Sequence, residues 1–517
     1  MKKFFTPFNL ILLVGSLIYL ATHLPSLTLL PVFADEAIYL RWAQLILDDW
    51  RQYLFFPLND GKTPLFVWLA VLSLKIFADP LLAGRMVSLA VGLLQVAVIA
   101  FTIKKLRGGR LAICFGQLAI IGLPFWYFHH RMALMDGLLV LMLSLALYHL
   151  IVAGASKIQR WQSALKAGVF FGLALLTKLP ALLFMPALVL APWLVKPKKS
   201  APFHFLSLAS ATLLIGLGIF LTLKIHPVFG QLFNRGNDFL YSISEVLAAG
   251  VWPIVVSNST QVWQVLNAYL SWPLLLLPLM GLWHTKWRRK HLILILSSLG
   301  FLIPVILLSR IIFPRYLLPA ALPLTISASL AFEQFFLITQ RLIKKPVIFL
   351  IRTSALIFGL TFMTSISLQF LLISWQDPNH LPFTEVDREQ YLRSWAAGNG
   401  IKETTNNLLQ AALTSTIAVA TEGYFGTLPD GILMYLHNQD VTNILVEGIG
   451  QPVHRLPDDF IAKAQYYEQV WLVVNSHRQL MNLATNPQAK LEQGYCRIAQ
   501  GPCLQVWNIT ALVHTQP

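Results

Sequence analysis

The chain has 517 residues, of which 56% are hydrophobic and only 12% charged, with a formal net charge of +16. A soluble globular chain carries about 25% charged residues, so this composition excludes a soluble enzyme. It also excludes a disordered chain and, with three cysteines, a disulfide scaffold.

Apolar runs near the roughly 20 residues that cross a bilayer predict a polytopic α-helical membrane protein. In chain order, spans are predicted at about 7–29, 80–103, 111–128, 132–153, 167–178, 179–195, 203–224, 263–283, 292–309, 316–337 and 347–373, eleven in all. Met1–Leu29 reads as a retained first span, because its apolar run is long and no small-residue cleavage site follows. Pro64–Asp79 is apolar but short and holds Lys75, so it reads as a helix in or near the outer interface. Glu36–Leu54 reads the same way. Arg41, Gln44, Asp48 and Arg51 form a polar stripe, and Ile38, Trp42, Leu45 and Ile46 supply the apolar contacts. The first outer loop, residues 30–79, is thus predicted to hold two interfacial helices. Residues 167–195 leave room only for two short spans, broken at Thr177-Lys178-Leu179-Pro180. No long internal repeat is evident.

The basic residues explain the net charge. Lys2-Lys3, Lys104/Lys105/Arg107/Arg110, Lys157/Arg160/Lys166, Lys196/Lys198/Lys199, Lys286/Arg288/Arg289/Lys290 and Arg341/Lys344/Lys345 occupy short segments without a carboxylate. With eleven spans all six segments fall on one side, and the positive-inside rule makes that side cytoplasmic. The charge is a topology signal, and no nucleic-acid partner is expected.

Composition shifts near Trp375. Residues 375–517 carry 13 acidic and 8 basic residues and no membrane-length apolar run. β-rich runs at Thr416–Thr421, Thr442–Val446, Val470–Val474, Tyr495–Ile498 and Leu504–Ile509 alternate with helical stretches at Ile401–Ala412, Asp430–Leu436 and Ser476–Leu483. The expected organisation is a transmembrane domain over 1–374 and a small α/β domain over 375–517. Eleven spans from a cytoplasmic N-terminus put that domain outside the cell membrane.

Ionisable groups at a bilayer are functional candidates. Asp35-Glu36 follows the first span; its plain reading is an acidic helix start. Lys62 follows the turn Asn59-Asp60-Gly61, where a lysine is ordinarily a solvated charge. Arg85 lies one turn into the second span, where snorkelling is the plain reading. Asp136 lies one turn into the fourth, after His129-His130-Arg131, and pairing with Arg131 is its plain reading. Lys178 marks the break between spans five and six, and Arg315-Tyr316 opens span ten. Glu333, deeper in span ten, is given no role. By topology these candidates other than Glu333 share the outer leaflet. Cations there can hold a phosphate, and a carboxylate can take a proton from an attacking hydroxyl. A lipid-linked phosphosugar supplies both needs.

Six segments in order carry a family resemblance: Ala34-Asp35-Glu36-Ala37-Ile38-Tyr39, Asp60-Gly61-Lys62-Thr63-Pro64-Leu65, Gly84-Arg85, Arg131-Met132-Ala133-Leu134-Met135-Asp136-Gly137, Gly172–Lys178, and Pro314-Arg315-Tyr316-Leu317-Leu318-Pro319. Over about residues 1–340 the chain resembles the GT-C membrane glycosyltransferases of the protein O-mannosyltransferase and aminoarabinose-transferase type. The tail, with Thr421–Pro429, is similar to the C-terminal domains of bacterial members. The resemblance implies inverting transfer of a monosaccharide from a polyprenyl-phosphate donor to an acceptor hydroxyl at the outer face of a bacterial plasma membrane. Asp35 matches the catalytic first-loop Asp and Glu36 its acidic neighbour. Lys62 matches a lysine on the lipid phosphate and Arg85 an arginine of the same cluster. Asp136, Lys178 and Arg315 match further pocket residues, beside which Tyr39, Arg131 and Tyr316 stand. Ile38 departs from the aminoarabinose pattern, which has Arg there, so that donor is not implied. The acceptor is a protein, lipid or glycan. No cofactor is expected and no ligand set demands a metal, although a divalent ion is left open.

A secondary transporter or lipid flippase is the alternative. Its internal repeats and midplane polar groups are not seen here. A membrane-anchored assembly protein would leave the cationic candidates unexplained. Finally, Cys496 and Cys503 flank the turn signal Gln500-Gly501-Pro502. A hairpin that opposes them would allow a disulfide, whereas Cys114 lies in a span as a small apolar residue.

Overall fold

A computed structural model describes residues 6–515 apart from 157, 196–201, 235, 440 and 499. Lys2, Lys3, Lys157, Lys196, Lys198 and Lys199 of the topology argument therefore lie outside the described residues. The longer helices in chain order are α1 (Pro7–His23), α2 (Ala34–Asp48), α3 (Leu65–Leu74), α4 (Pro80–Lys105), α5 (Arg110–Gly122), α6 (Met135–Ala155), α7 (Arg160–Thr177), α8 (Pro202–Leu221), α9 (Val251–Leu270), α10 (Trp272–Gly281), α11 (Arg288–Leu308), α12 (Leu318–Arg341) and α13 (Pro346–Gln376).

Helix occupies most of the expected spans, but several are shorter than expected or broken, and 179–195 is mostly 3-10 turns. Among the described residues six helices are long and apolar enough to cross a membrane, or seven if α9 and α10 count as one bent span. That pair corrects the straight span expected at 263–283. The chain turns by 100° at Ser271, whose φ is 69°, and Pro273 then starts the next helix. Leu123-Pro124 likewise ends α5 before a further turn at Pro124–His129, because proline disfavours helical backbone in the residue before it. Residues 179–194 form 3-10 turns around a six-residue α-helix, Met185–Leu190.

The chain divides into two compact units: Met1–Leu27, Phe55–Phe66 and Met86–Gln376; and Thr28–Leu54, Val67–Arg85 and Asp377–Pro517. In the first, small residues let backbones approach, as expected of helices in lipid. A Cβ on Gly168 or Gly172 of α7 would sit 2.7 Å from Cβ of Ile215 or Ile219 of α8. Polar contacts join other helices: Gln95 Nε2 donates to Ser144 Oγ at 2.9 Å, and Asn258 Nδ2 donates to the carbonyls of Ile306 and Ser309 at 2.9 and 2.8 Å. Glu333, given no role from sequence, accepts from Gly109 N at 2.6 Å and caps α5.

The second unit is built on a five-stranded sheet of β1 (Ile417–Thr421), β2 (Ile444–Gly448), β3 (Gln469–Asn475), β4 (Lys490–Cys496) and β5 (Cys503–Asn508), in the order β2-β1-β3-β5-β4. β1 runs parallel to β2 and β3, and β5 runs antiparallel to β3 and β4. All five residues of the inner strand β1 are buried, as a parallel strand covered on both faces requires. Ala418, Ala420, Leu472, Val474, Phe460 and Trp507 form its core. At the strand ends Glu422 accepts from Asn475 N and Nδ2 at 2.9 and 2.5 Å, and Asn475 Oδ1 accepts from Arg497 Nη1 at 2.6 Å. Burial, partly offset by Glu422, brings the Arg497 guanidinium down to about 10.

Thr28–Leu54 and Val67–Arg85, in and beside the first loop, belong to this unit. α2 and α3 form where interfacial helices were expected, but part of the α2 polar stripe is not solvated. Gln44 is 2% exposed and donates to Met434 O at 2.8 Å, and His437 Nε2 lies 2.9 Å from Asp48 Oδ1. A second correction concerns Ser476–Leu483, expected as helix. Only Ser476–Arg478 makes a 3-10 turn. The rest is drawn out by backbone bonds to Val453, from Val453 N to Arg478 O and from Leu480 N to Val453 O at 2.8 and 2.9 Å.

Cys496 and Cys503 face each other in the β4–β5 register and are joined as a disulfide. Non-reduced protein should therefore show neither cysteine alkylated, by peptide mass spectrometry. Cys496→Ser should cost about 2–3 kcal/mol, the chain-entropy value for so short a loop, read as a lowered unfolding midpoint of the tail.

Candidate active site

The candidate residues divide between the two units. Asp35, Glu36, Tyr39 and Arg85 belong to the second. Phe33 caps α2, so Asp35 and Glu36 stand in its first turn, where the helix dipole favours acidic side chains. Glu36 is completely buried and turns back on the chain, accepting from Phe33 N at 3.0 Å. Arg85, 1% exposed, meets it in a bidentate pair, Nε to Oε1 at 2.9 Å and Nη2 to Oε2 at 2.7 Å. The same guanidinium donates to Leu30 O at 2.8 Å and Pro31 O at 3.1 Å. Arg85 thus fastens the segment before α2 to the start of α4 and fixes the turn from which Asp35 projects. Asp35 itself is half-buried. Tyr39 is 3% exposed, with its ring 5.9 Å from that of Trp42.

The first unit gathers three further candidates around one carboxylate. Asp136 starts α6 and is 3% exposed. Lys178, at the residue where α7 ends in extended backbone, donates to its Oδ1 at 2.7 Å. Arg315, on the turn before α12, places Nε 4.0 Å from its Oδ2. The Tyr316 ring lies beneath both cations, 4.3 Å from Lys178 Nζ and 5.7 Å from Arg315 Cζ, and the Phe313 ring adds a second wall 5.2 Å from Arg315. Asp136 thus meets both cations. Phe313 was not singled out from the sequence. An aromatic two residues before a candidate arginine was the available signal.

Arg131 does not pair with Asp136 as the plain reading had it. It donates to the carbonyls of His23, Pro25 and Ser26 at 2.9, 2.8 and 2.9 Å and to Tyr127 Oη at 2.9 Å, closing the C-terminal end of α1. Lys62 follows a short 3-10 helix and Gly61, whose φ is 68°. Its backbone N donates to Pro57 O at 3.0 Å. It is half-buried, and its ammonium forms no hydrogen bond or ion pair among the described residues. Among those residues no group of His, Cys, Asp and Glu is arranged to hold a metal ion.

This architecture has solved counterparts. ArnT from Cupriavidus metallidurans bound to undecaprenyl phosphate is 15% identical, with a TM-score of 0.58 over 98% of this chain and 99% of that one. Its apo form is 16% identical, with a TM-score of 0.57 over 98% of both. The apo Archaeoglobus fulgidus oligosaccharyltransferase is 11% identical, with a TM-score of 0.53 over 92% of this chain and 70% of that one. The chain therefore has the fold of the GT-C membrane glycosyltransferases and is an integral membrane protein. Within it, residues 61–226 match the dolichyl-phosphate-mannose-protein mannosyltransferase family. A comparison with curated proteins finds no match. Family match and fold together support polyprenyl-phosphate-dependent glycosyl transfer.

The buried pair makes a stability prediction. Arg85→Met strands a desolvated carboxylate and should cost about 3–5 kcal/mol. The double variant with Glu36→Leu should recover much of that loss, because neither charge is then left unpaired. Thermal unfolding in detergent reads both.

Proposed function

We propose that the chain transfers a monosaccharide from a polyprenyl-phosphate donor to an acceptor hydroxyl, with inversion at the anomeric carbon, at the outer face of a bacterial plasma membrane. The observation that carries this reading is the Asp136–Lys178–Arg315 cluster. It brings two cationic side chains, Lys178 and Arg315, to one buried carboxylate at helix ends, and such cations can donate charge-assisted hydrogen bonds to a phosphate at the head of a lipid. Asp136 and Lys178 fall within the stretch that matches the mannosyltransferase family. That a solved structure of the same fold contains undecaprenyl phosphate supports the same donor chemistry.

In the proposed reaction Asp35 accepts the proton of the acceptor hydroxyl. The hydroxyl oxygen forms the new bond to the sugar C1 as the bond from C1 to the phosphate oxygen breaks, and the electron pair of that bond leaves with the phosphate. Lys62, Lys178 and Arg315 offset the charge that grows there. Asp136 holds the two cations of its own cluster. Glu36 and Arg85, fully engaged with each other, position the turn that carries Asp35. The roles of Tyr39 and Tyr316 are to wall their respective sites, and Arg131 secures the end of α1. The acceptor is a protein, lipid or glycan hydroxyl.

The reading is tested with radiolabelled polyprenyl-phosphate sugars and purified enzyme. Asp35→Asn should lower turnover by about 10²–10⁴-fold while donor lipid still binds. Lys62→Ala should weaken donor binding and turnover together, since a cation on phosphate acts before and during transfer. Near-wild-type turnover of Asp35→Asn removes Asp35 from the mechanism, and movement of intact donor across the bilayer without transfer points to a flippase. Orientation is tested separately: a C-terminal reporter that fluoresces only in the cytoplasm should stay dark, and a bright signal inverts the topology.

A further inference from the structure

A cavity of about 1110 Å³ opens among the helix ends of the first unit. It borders the last turn of α6, whereas Asp136 stands in the first turn of that helix. At 1.5 Å per residue the two ends of this 21-residue helix lie roughly 30 Å apart, so the cavity is separate from the Asp136 cluster.

Its lining is strongly cationic. Lys104, Lys105 and Arg107 come from the end of α4 and the turn after it, Lys286, Arg289 and Lys290 from the start of α11 and the turn before it, and Arg160 from the start of α7. No carboxylate lines it, and none of the seven forms an ion pair among the described residues. The contacts that hold them are to neutral groups. Lys104 Nζ lies 3.6 Å from the Phe8 ring centroid and Lys290 Nζ 3.8 Å from that of Trp287. Lys290 donates to Leu106 O at 2.5 Å, and Arg289 donates to the carbonyls of Trp193 and Val195. Arg160 Nη1 lies 3.2 Å from His204 Nε2. These partners hold four of the seven side chains and leave their charge uncancelled. Phe101, Leu194 and Phe205 supply an apolar wall.

A topology signal requires only that basic residues lie on one side, where each is solvated separately. Seven cations around a walled space repel one another unless an anion joins them. The space is far larger than a phosphate ion needs, and one wall is apolar. Both features fit a phosphodiester whose glycerol and first acyl carbons follow it into the cavity, and basic pockets between helix ends are where such headgroups bind.

We propose that this cavity is a binding site for the headgroup of an anionic phospholipid. The test uses full-length protein in nanodiscs containing phosphatidylglycerol and phosphatidylcholine in equal amounts, with lipid retention read by native mass spectrometry. Phosphatidylglycerol should be retained at least tenfold over phosphatidylcholine. Lys105→Gln/Arg107→Gln/Lys286→Gln should weaken phosphatidylglycerol binding by on the order of 100-fold, at roughly fivefold per basic side chain, and so abolish the preference. Because that variant also removes topology charges, Ala155→Trp carries the test independently: it places an indole in the cavity at the last turn of α6 and keeps every charge, and it too should lower the retained lipid. Equal retention of the two lipids, or wild-type retention by Ala155→Trp, overturns the proposal. So does full displacement of phosphatidylglycerol by millimolar inorganic phosphate, which would mark a soluble-anion site.

Discussion

A bilayer offers no water to a charge or to a broken helix, and that constraint governs the first unit. Backbone groups released at a break need partners, and an ionisable side chain needs a counter-charge or a helix end. Lys178 answers both demands. Its backbone N still closes the last turn of α7 on Ala174 O at 2.9 Å, its φ and ψ of −165° and 136° then carry the chain out of the helix, and its ammonium crosses to Asp136. Asp136 in turn sits in the first turn of α6, where the dipole favours it. Break, dipole and ion pair coincide because lipid tolerates each of them far better in company than alone.

The same logic separates charges that position from charges that are available for chemistry. Glu36 and Arg85 are wholly buried and satisfied by each other and by backbone carbonyls. Arg131 spends its donors on the end of α1 and on Tyr127. Such groups organise their surroundings, and a substrate phosphate would have to displace existing bonds to reach them. Lys178 and Arg315 are held differently, resting on an aromatic ring and sharing one carboxylate. That arrangement brings two cations side by side at Asp136.

Much of the fold was legible in the sequence because apolar length and β-rich alternation are local signals. Most of the expected spans, apart from 179–195, fall on helix, Asp430–Leu436 is helical from end to end, and β1, β3 and β5 lie within a residue of their expected bounds. What escaped was tertiary. Nothing local tells that Gln44 meets Met434, that Val453 pulls residues 478–480 out of a helix, or that Glu36 finds Arg85 across 49 residues. The plain pairing of Asp136 with the nearby Arg131 failed for the same reason: sequence proximity ranks partners by distance along the chain, whereas the structure ranks them by which group is left unsatisfied. The bend at Ser271 was hidden because composition reads an apolar run alike whether it is straight or folded. The site residues were nameable one by one from their expense in a membrane and from resemblance. Which of them share a carboxylate was not.

Helix α6 shows how one apolar rod can keep two cationic regions distinct. Between Asp136 and Ala155 it carries no Asp, Glu, Lys or Arg, so no charged side chain of the helix links its ends. At the Asp136 end the cations share a carboxylate; at the other end no carboxylate among the described residues lines the cavity. The difference has a chemical consequence. A phosphate that must leave after reaction is better met by cations already partly neutralised, because binding that is equally strong before and after transfer slows release without lowering the barrier. A lipid headgroup that stays has no such requirement, and full uncompensated charge serves it. In these terms Asp136 is more than a partner that satisfies Lys178 in a low-dielectric place. In the proposed reaction it moderates the pull of that site on a phosphate, as a turnover site needs and a resident-lipid site does not.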